Sequence, residues 1–86
     1  MAHFAYVVDG VVANVHVVAN AVITDVEGVE REELGQKFLA DLHGYPASQL
    51  VQCSYNGSMR GVYPGIGYTY DEANDVFVAP VIEEEV

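Results

Sequence analysis

Two apolar runs, residues 4–8 and 11–18, flank the dipeptide Asp9-Gly10 near the start of the chain. This dipeptide between β-branched runs is typical of a two-residue type I′ turn, because glycine readily accepts a positive φ. The pattern therefore predicts a β-hairpin in which Val8 faces Val11.

Alternation divides this hairpin into two faces. The first is almost wholly apolar, and we expect it to form the core: Phe4, Tyr6, Val8, Val11, Ala13, Val15 and Val17. The second is mixed, which is expected of a face that is half exposed or meets another chain. Its apolar members include Val7, Val12 and Val18. The same register places His3 opposite His16, but two ligands are too few for a structural zinc site.

Four apolar residues spaced three and four apart predict a helix over residues 30–43 whose apolar stripe lies across the sheet. They are Leu34, Phe38, Leu39 and Leu42. Acidic residues occupy the expected first turn, where the helix dipole favours carboxylates: Glu30, Glu32 and Glu33. Gly44 suits the left-handed residue that ends many helices.

The second half predicts a strand over residues 50–55, a glycine-rich ordered loop, and a second hairpin. Its strands, residues 68–70 and 76–78, flank a loop of about five residues in which Asn74 is a candidate for a left-handed position. The fold class is thus α+β: a small antiparallel sheet of about four to five strands, made of two hairpins, with one helix packed on a face. Residues 1–80 are expected to form a single domain, and residues 81–86 an acidic C-terminal tail.

Thirteen acidic residues stand against three basic ones, giving a formal net charge of -10. Such a field repels nucleic acid and anionic lipid, so we expect neither as a partner. No apolar run approaches the ~20 residues that span a bilayer, and the first residues lack the basic region of a signal peptide. We therefore expect a soluble protein made in a cytoplasm.

Candidate chemistry is sparse along the chain. Cys53 is the only cysteine and has no basic neighbour to lower its pKa, so we expect a packed, inert thiol. The acidic loop at residues 25–30 has its glycine too early for a calcium-binding EF-hand. We predict no catalytic residue, no metal ligand and no cofactor, and hence no enzyme.

Apolar residues make up 51% of only 86 residues, which favours burial of some of them between chains and hence self-association. Four of the six tyrosines lie in residues 55–70. Tyrosine is enriched where proteins meet proteins or sugars, although ordinary packing explains these rings equally well. Arg60, the only cation of the second half, is expected to anchor its loop to a carboxylate through a bidentate contact.

The segment Ser54-Tyr55-Asn56-Gly57-Ser58-Met59-Arg60-Gly61, continuing through Tyr63 and residues 65–71, resembles a family of short virion-associated proteins from tailed bacteriophages, notably phages of cyanobacteria. Residues 1–5 and 28–35 are similar too, so the likeness covers nearly the whole chain. Many relatives look longer beyond the position of Pro80. The resemblance implies a virion structural accessory protein, either a capsid decoration protein or a tail, baseplate or fibre component.

On this reading the partners are other virion proteins, and the chain is a homo-oligomer or is present in many copies. The residues expected to make the contacts are Val7, Val12, Val18, Tyr55, Arg60, Tyr63, Tyr68 and Tyr70. The alternative is a non-structural acidic phage protein that binds and modulates a host protein.

Overall fold

The computed structural model describes residues 1–80, and the predicted acidic tail lies outside the described residues. The elements are β1 (Ala2–Val8), β2 (Val11–Val18), α1 (Asn20–Ile23), α2 (Glu32–His43), a 3-10 turn (Ala47–Gln49), β3 (Leu50–Cys53), β4 (Thr69–Asp71) and β5 (Val76–Val78). The strands form one antiparallel five-stranded sheet in the order β3-β1-β2-β4-β5. Helix α2 packs on one face, which confirms the α+β prediction.

The first hairpin turns as predicted. Asp9 and Gly10 have φ values of 52° and 80°, the two positive angles of a type I′ turn. Val8 accordingly faces Val11 across the hairpin.

A β-bulge then changes the register of this hairpin. Val7 faces Val12 but Tyr6 faces Asn14, so Ala13 is an extra residue in β2. Such a bulge moves the following side chains to the opposite face. The predicted pairing of His3 with His16 is therefore wrong, because His3 faces Val17.

Two separate cores result, one on each face of the sheet. The first lies beneath α2 and consists of Ala2, Phe4, Val18, Ile23, Leu39 and Leu50. The second lies on the opposite face and consists of Ala5, Val7, Val12, Val51, Cys53 and Phe77. Partly buried Val15, Tyr63, Tyr68 and Tyr70 pack against the second core. Both faces of the sheet are thus covered within a single chain.

The expectation that Val7, Val12 and Val18 lie on an outward face is therefore wrong. They are only 8%, 1% and 5% exposed. Val7 and Val12 are covered by the loop before β4 and by the second hairpin, while the bulge turns Val18 toward α2. None of the three is available to a second subunit.

Helix α2 begins at Glu32, two residues later than predicted, because Glu30 instead makes a β-bridge with Thr24. Its first turn carries Glu32 and Glu33. It ends as expected at Gly44, whose φ is 76° and whose N–H donates to the carbonyl of Ala40.

The contact face of α2 is narrower than the predicted stripe. Leu39 is 2% exposed, but Phe38 and Leu42 are 42% and 63% exposed, so the prediction is wrong for those two residues. The helix instead meets the sheet at Gly35 and Leu39. A Cβ added to Gly35 would lie 2.9 Å from Cγ2 of Ile23 and closer still to the ring of Phe4. The bare glycine backbone permits this close approach.

The second half departs from prediction in three places, the smallest of which is that β4 covers Thr69–Asp71 and not residues 68–70. Strand β3 ends at Cys53, since the chain turns there and the N–H of Gly57 donates to the carbonyl of Ser54. In the second hairpin Asp75, and not Asn74, has the positive φ, at 54°. Asn74 donates both its backbone N–H and its side-chain amide to the carboxylate of Asp71.

We predict that Gly35→Ala lowers the free energy of unfolding by about 2 kcal/mol, because the added methyl group must displace Phe4 or Ile23. At an open helix position the same change stabilises by about 1 kcal/mol through helix propensity. Urea denaturation followed by circular dichroism measures the difference. The loss should be smaller in a Phe4→Leu background, which vacates the space. A gain in stability on Gly35→Ala would contradict the packing described.

Candidate functional site

Arg60 lies between the two edge strands of the sheet. Its Nη1 donates to the carbonyl of Gln52 on β3 at 2.7 Å. Its own backbone carbonyl accepts a hydrogen bond from the N–H of Phe77 on β5 at 3.0 Å. One residue thus bonds to both edges, and the sheet curls over the second core. We call the group of Arg60, Glu32, Gln52 and Asp75 the Arg60 clasp.

Two carboxylates complete the clasp. Arg60 donates through Nε to Oδ1 of Asp75 at 2.7 Å and through Nη2 to Oε1 of Glu32 at 3.2 Å. The other oxygen of Glu32 accepts the N–H of Gln52 at 2.8 Å. Glu32 and Arg60 thereby occupy both backbone groups of Gln52, as a neighbouring strand would. The expected anchoring of Arg60 to a carboxylate is confirmed, with two carboxylates in place of one bidentate partner.

The clasp shifts the pKa values of Arg60 and Asp75. Burial alone lowers the pKa of the Arg60 guanidinium, but the hydrogen bond to Asp75 and the charge of Glu32 outweigh it and raise the pKa. The hydroxyl of Tyr70 also donates to Asp75. Hydrogen bonds from Tyr70 and Arg60 lower the pKa of Asp75. The Asp75 carboxylate therefore stays ionised opposite the guanidinium.

The predicted tyrosines divide into two groups. Tyr63, Tyr68 and Tyr70 are partly buried and pack against the second core, so they support the fold. Tyr55 is 74% exposed. Of the tyrosines predicted to make contacts, Tyr55 has the most ring surface free for a partner.

Tyr55 lies at a groove of about 370 Å³, which we call the tyrosine groove. The centroid of the Tyr55 ring is 6.0 Å from that of His3 and 5.4 Å from that of Tyr63. The polar lining residues of the groove include Gln52 and Asn56, close to Tyr55 in the chain, and Asn20 and Glu30 from distant segments. The distance of Asn20 and Glu30 from Tyr55 along the chain explains why the sequence contained no local signal for this groove.

A second groove, of about 380 Å³, lies where β3 approaches the turns of both hairpins. The two turns are neighbours because the N–H of Tyr70 donates to the carbonyl of Gly10 at 2.9 Å. Acidic side chains from three elements line it: Asp9, Glu32 and Glu72. We call it the acidic groove.

All three cations of the chain are paired internally. Arg31 bonds Asp25 at 2.6 Å, Lys37 bonds Asp41 at 3.0 Å, and Arg60 belongs to the clasp. Within residues 1–80 the remaining carboxylates make no ion pair: Asp9, Glu27, Glu30, Glu33, Asp71 and Glu72. Among the lysine, arginine, aspartate and glutamate side chains of residues 1–80, the charge left unpaired is therefore negative.

A cluster of rings that the sequence reasoning missed lies at the end of α2. The ring of His16 is 4.6 Å from that of His43, and its Nε2 is 3.1 Å from the hydroxyl of Tyr45. Tyr45 in turn stacks on Tyr6 at 3.7 Å. Burial, and then the neighbouring His43, lowers the pKa of His16. The cluster was missed because the predicted register placed His16 on the opposite face.

Other chemistry is limited in the described part of the chain. Among residues 1–80 there is no group of three or more side chains that could hold a metal ion. No helix there is long and apolar enough to cross a bilayer. Cys53 is buried, and burial raises the pKa of its thiol to about 12.

Several large apolar side chains remain exposed and belong to neither core. On α2 these are Phe38 and Leu42, one helical turn apart. Others are spread over the strands and loops: Val11, Val17, Val26, Val29, Val62, Ile66 and Val78.

The fold and these surfaces define a small acidic α+β domain with a curled antiparallel sheet and two open grooves. No protein-family model matches the chain, and no curated protein or solved structure matches it at a significant level. Its function is therefore inferred from its own residues.

We predict that Arg60→Met lowers the free energy of unfolding by at least about 2 kcal/mol, because the side chain makes three hydrogen bonds and one hydrogen bond to a charged group contributes about 1.5–3 kcal/mol. Urea denaturation checks this. Arg31→Met is the matched control, since the Arg31 side chain is 49% exposed and that of Arg60 18%. An exposed ion pair contributes at most about 1 kcal/mol. Equal losses in the two variants would show that the clasp has no special role.

The thiol of Cys53 should react slowly with iodoacetamide in the folded protein, and far faster in urea. The fold raises its pKa from 9.0 to about 12, so the protonated thiol favours the folded state. The stabilisation of the folded state by the protonated thiol is fully present below the unfolded pKa. It is lost as the pH rises through the folded pKa. Mass spectrometry of the labelled protein from about pH 7 to 9 measures the rate. Equal rates with and without urea would contradict the buried position.

Proposed function

We propose that this chain is a structural accessory protein of a phage virion, which docks on other virion proteins through an acidic surface with apolar anchors. The observation that carries the proposal is that every lysine and arginine is paired internally, so the unpaired side-chain charge of residues 1–80 is negative. Such a surface attracts a basic protein surface and repels nucleic acid.

The exposed apolar side chains supply the anchors of the proposed contact. Phe38 and Leu42 lie one turn apart on the same side of α2, and the ion pair of Lys37 with Asp41 lies beside them. Interfaces combine a buried apolar centre with a polar rim. The α2 surface has both parts, with Phe38 as the aromatic member.

The resemblance to virion-associated proteins of tailed phages supports the same proposal. Several residues that carry it, Arg60, Tyr63, Tyr68 and Tyr70, belong to the clasp or pack against the second core. A relative that shares them would therefore share the way in which the sheet is closed. The shared residues thus favour a common fold.

The alternative, an acidic protein that binds and modulates a host protein, is favoured by the same negative charge. The two proposals differ in where the protein is found. A virion component occurs at many copies in purified particles, whereas a modulator of a host protein stays in the infected cell.

We expect peptides of this chain in purified, salt-washed particles of the phage that encodes it, measured by quantitative mass spectrometry against a known capsid protein. A copy number of one or more for each structural repeat supports the proposal. Presence in infected cells with absence from particles would contradict it and support the alternative.

Substitution of the anchors Phe38 and Leu42 tests whether the α2 surface makes the contact. Phe38→Ser together with Leu42→Ser should reduce incorporation at least about tenfold, because the pair forms the apolar centre of the proposed contact and a loss of about 1.4 kcal/mol is tenfold in affinity. Val26→Ser is the matched control, since Val26 is fully exposed on a loop away from α2. Thermal unfolding of each variant shows whether the fold is kept. Equal incorporation of both variants would exclude the α2 surface.

A further inference from the structure

We propose that the tyrosine groove binds a neutral carbohydrate, a function separate from docking to virion proteins. The groove has a volume of about 370 Å³, at the lower end of the range of about 300–1,000 Å³ typical of small-molecule sites. Its chemistry has three parts: an aromatic platform, free amide groups, and no lysine or arginine.

The platform is the ring of Tyr55. The ring is supported by His3 and Tyr63, whose own rings meet edge to face at 5.4 Å and 83°. Tyr55 is nevertheless 74% exposed. A sugar ring has a face of C–H groups that packs on such an aromatic surface, and tyrosine offers it with little loss of conformational entropy. Because its neighbours hold the ring in place, less ordering is needed when a ligand binds.

The polar groups of the groove are free to bind hydroxyls. Within the described part of the chain, the side-chain amides of Asn20 and Gln52 make no hydrogen bond. Asn56 uses only its Oδ1, which accepts from Ser54 and Ser58, and its NH₂ group remains available. An amide combines donor and acceptor, so it can bind two neighbouring sugar hydroxyls.

The charge of the groove lining determines which class of sugar it favours. Glu30 is the acidic residue of the groove, and neither lysine nor arginine lines it. Glu30 makes no ion pair, so its carboxylate can accept hydrogen bonds from hydroxyls. An anionic saccharide would meet this carboxylate and the net charge of -10. The groove therefore favours a neutral hexose oligosaccharide, and because it is open we expect weak binding, in the millimolar range.

Saturation-transfer difference NMR on the full chain tests this proposal with three probes: maltotriose, cellotriose and triacetylchitotriose. We expect transfer to the ring protons of at least one of them, and weaker or no transfer to glucuronic acid. Tyr55→Ala should weaken the binding at least about tenfold, while Tyr55→Phe retains it because the platform remains. Ile66→Ala is the matched control, since Ile66 is 72% exposed and lies outside the groove.

Three results would overturn the proposal: no transfer to any neutral probe, transfer that is unchanged in Tyr55→Ala, or equal binding of glucuronic acid. Amide spectra of each variant confirm that it is folded before it is compared. If Tyr55→Ala reduced incorporation into particles while the unaltered protein bound no sugar, Tyr55 would be a protein contact instead. Sugar binding by a protein absent from particles would leave this proposal standing and remove only the virion function.

Discussion

Arg60 joins the two edges of the sheet, one through its guanidinium and the other through its backbone carbonyl. A curled five-stranded sheet has two edges, and each edge leaves backbone groups that need partners. Arg60 serves one edge through its side chain and the other through its carbonyl, while Glu32 and Asp75 neutralise its charge. The second core lies beneath this bridge. Arg60 is the only cation of the second half and is already paired with Glu32 and Asp75. The outer surface is therefore left with unpaired carboxylates.

Several features of the fold follow from short stretches of sequence. Asp9-Gly10 predicts the type I′ turn, and Gly44 predicts the end of α2, because both depend on local backbone angles. The bulge at Ala13 has no such local signal. With valine on both faces of β2, strict alternation and a shifted register bury similar apolar surface, so only tertiary packing decides between them. The shifted register places Val18 and His16 on the face opposite to the one predicted.

The sites were harder to predict than the fold because they join distant segments. Glu32 and Arg60 are 28 positions apart, and no spacing rule connects them. Tyrosine content drew attention to residues 55–70, but it did not separate the exposed Tyr55 from rings that pack on the core. Conversely, the helical period of Phe38 and Leu42 predicted burial, whereas the close approach at Gly35 confines the contact to a narrower face and leaves both side chains in solvent.

If one arginine joins the two edges of the sheet, native-state hydrogen exchange at those edges should depend on it. The amides to follow are those of Gln52 and Phe77 at the edges, with Ala5 in the interior strand β1 as the reference. In Arg60→Met, both edge amides should lose protection while Ala5 keeps most of its own. Unchanged protection of Gln52 and Phe77, or an equal loss at all three amides, would show that Arg60 does not join the two edges.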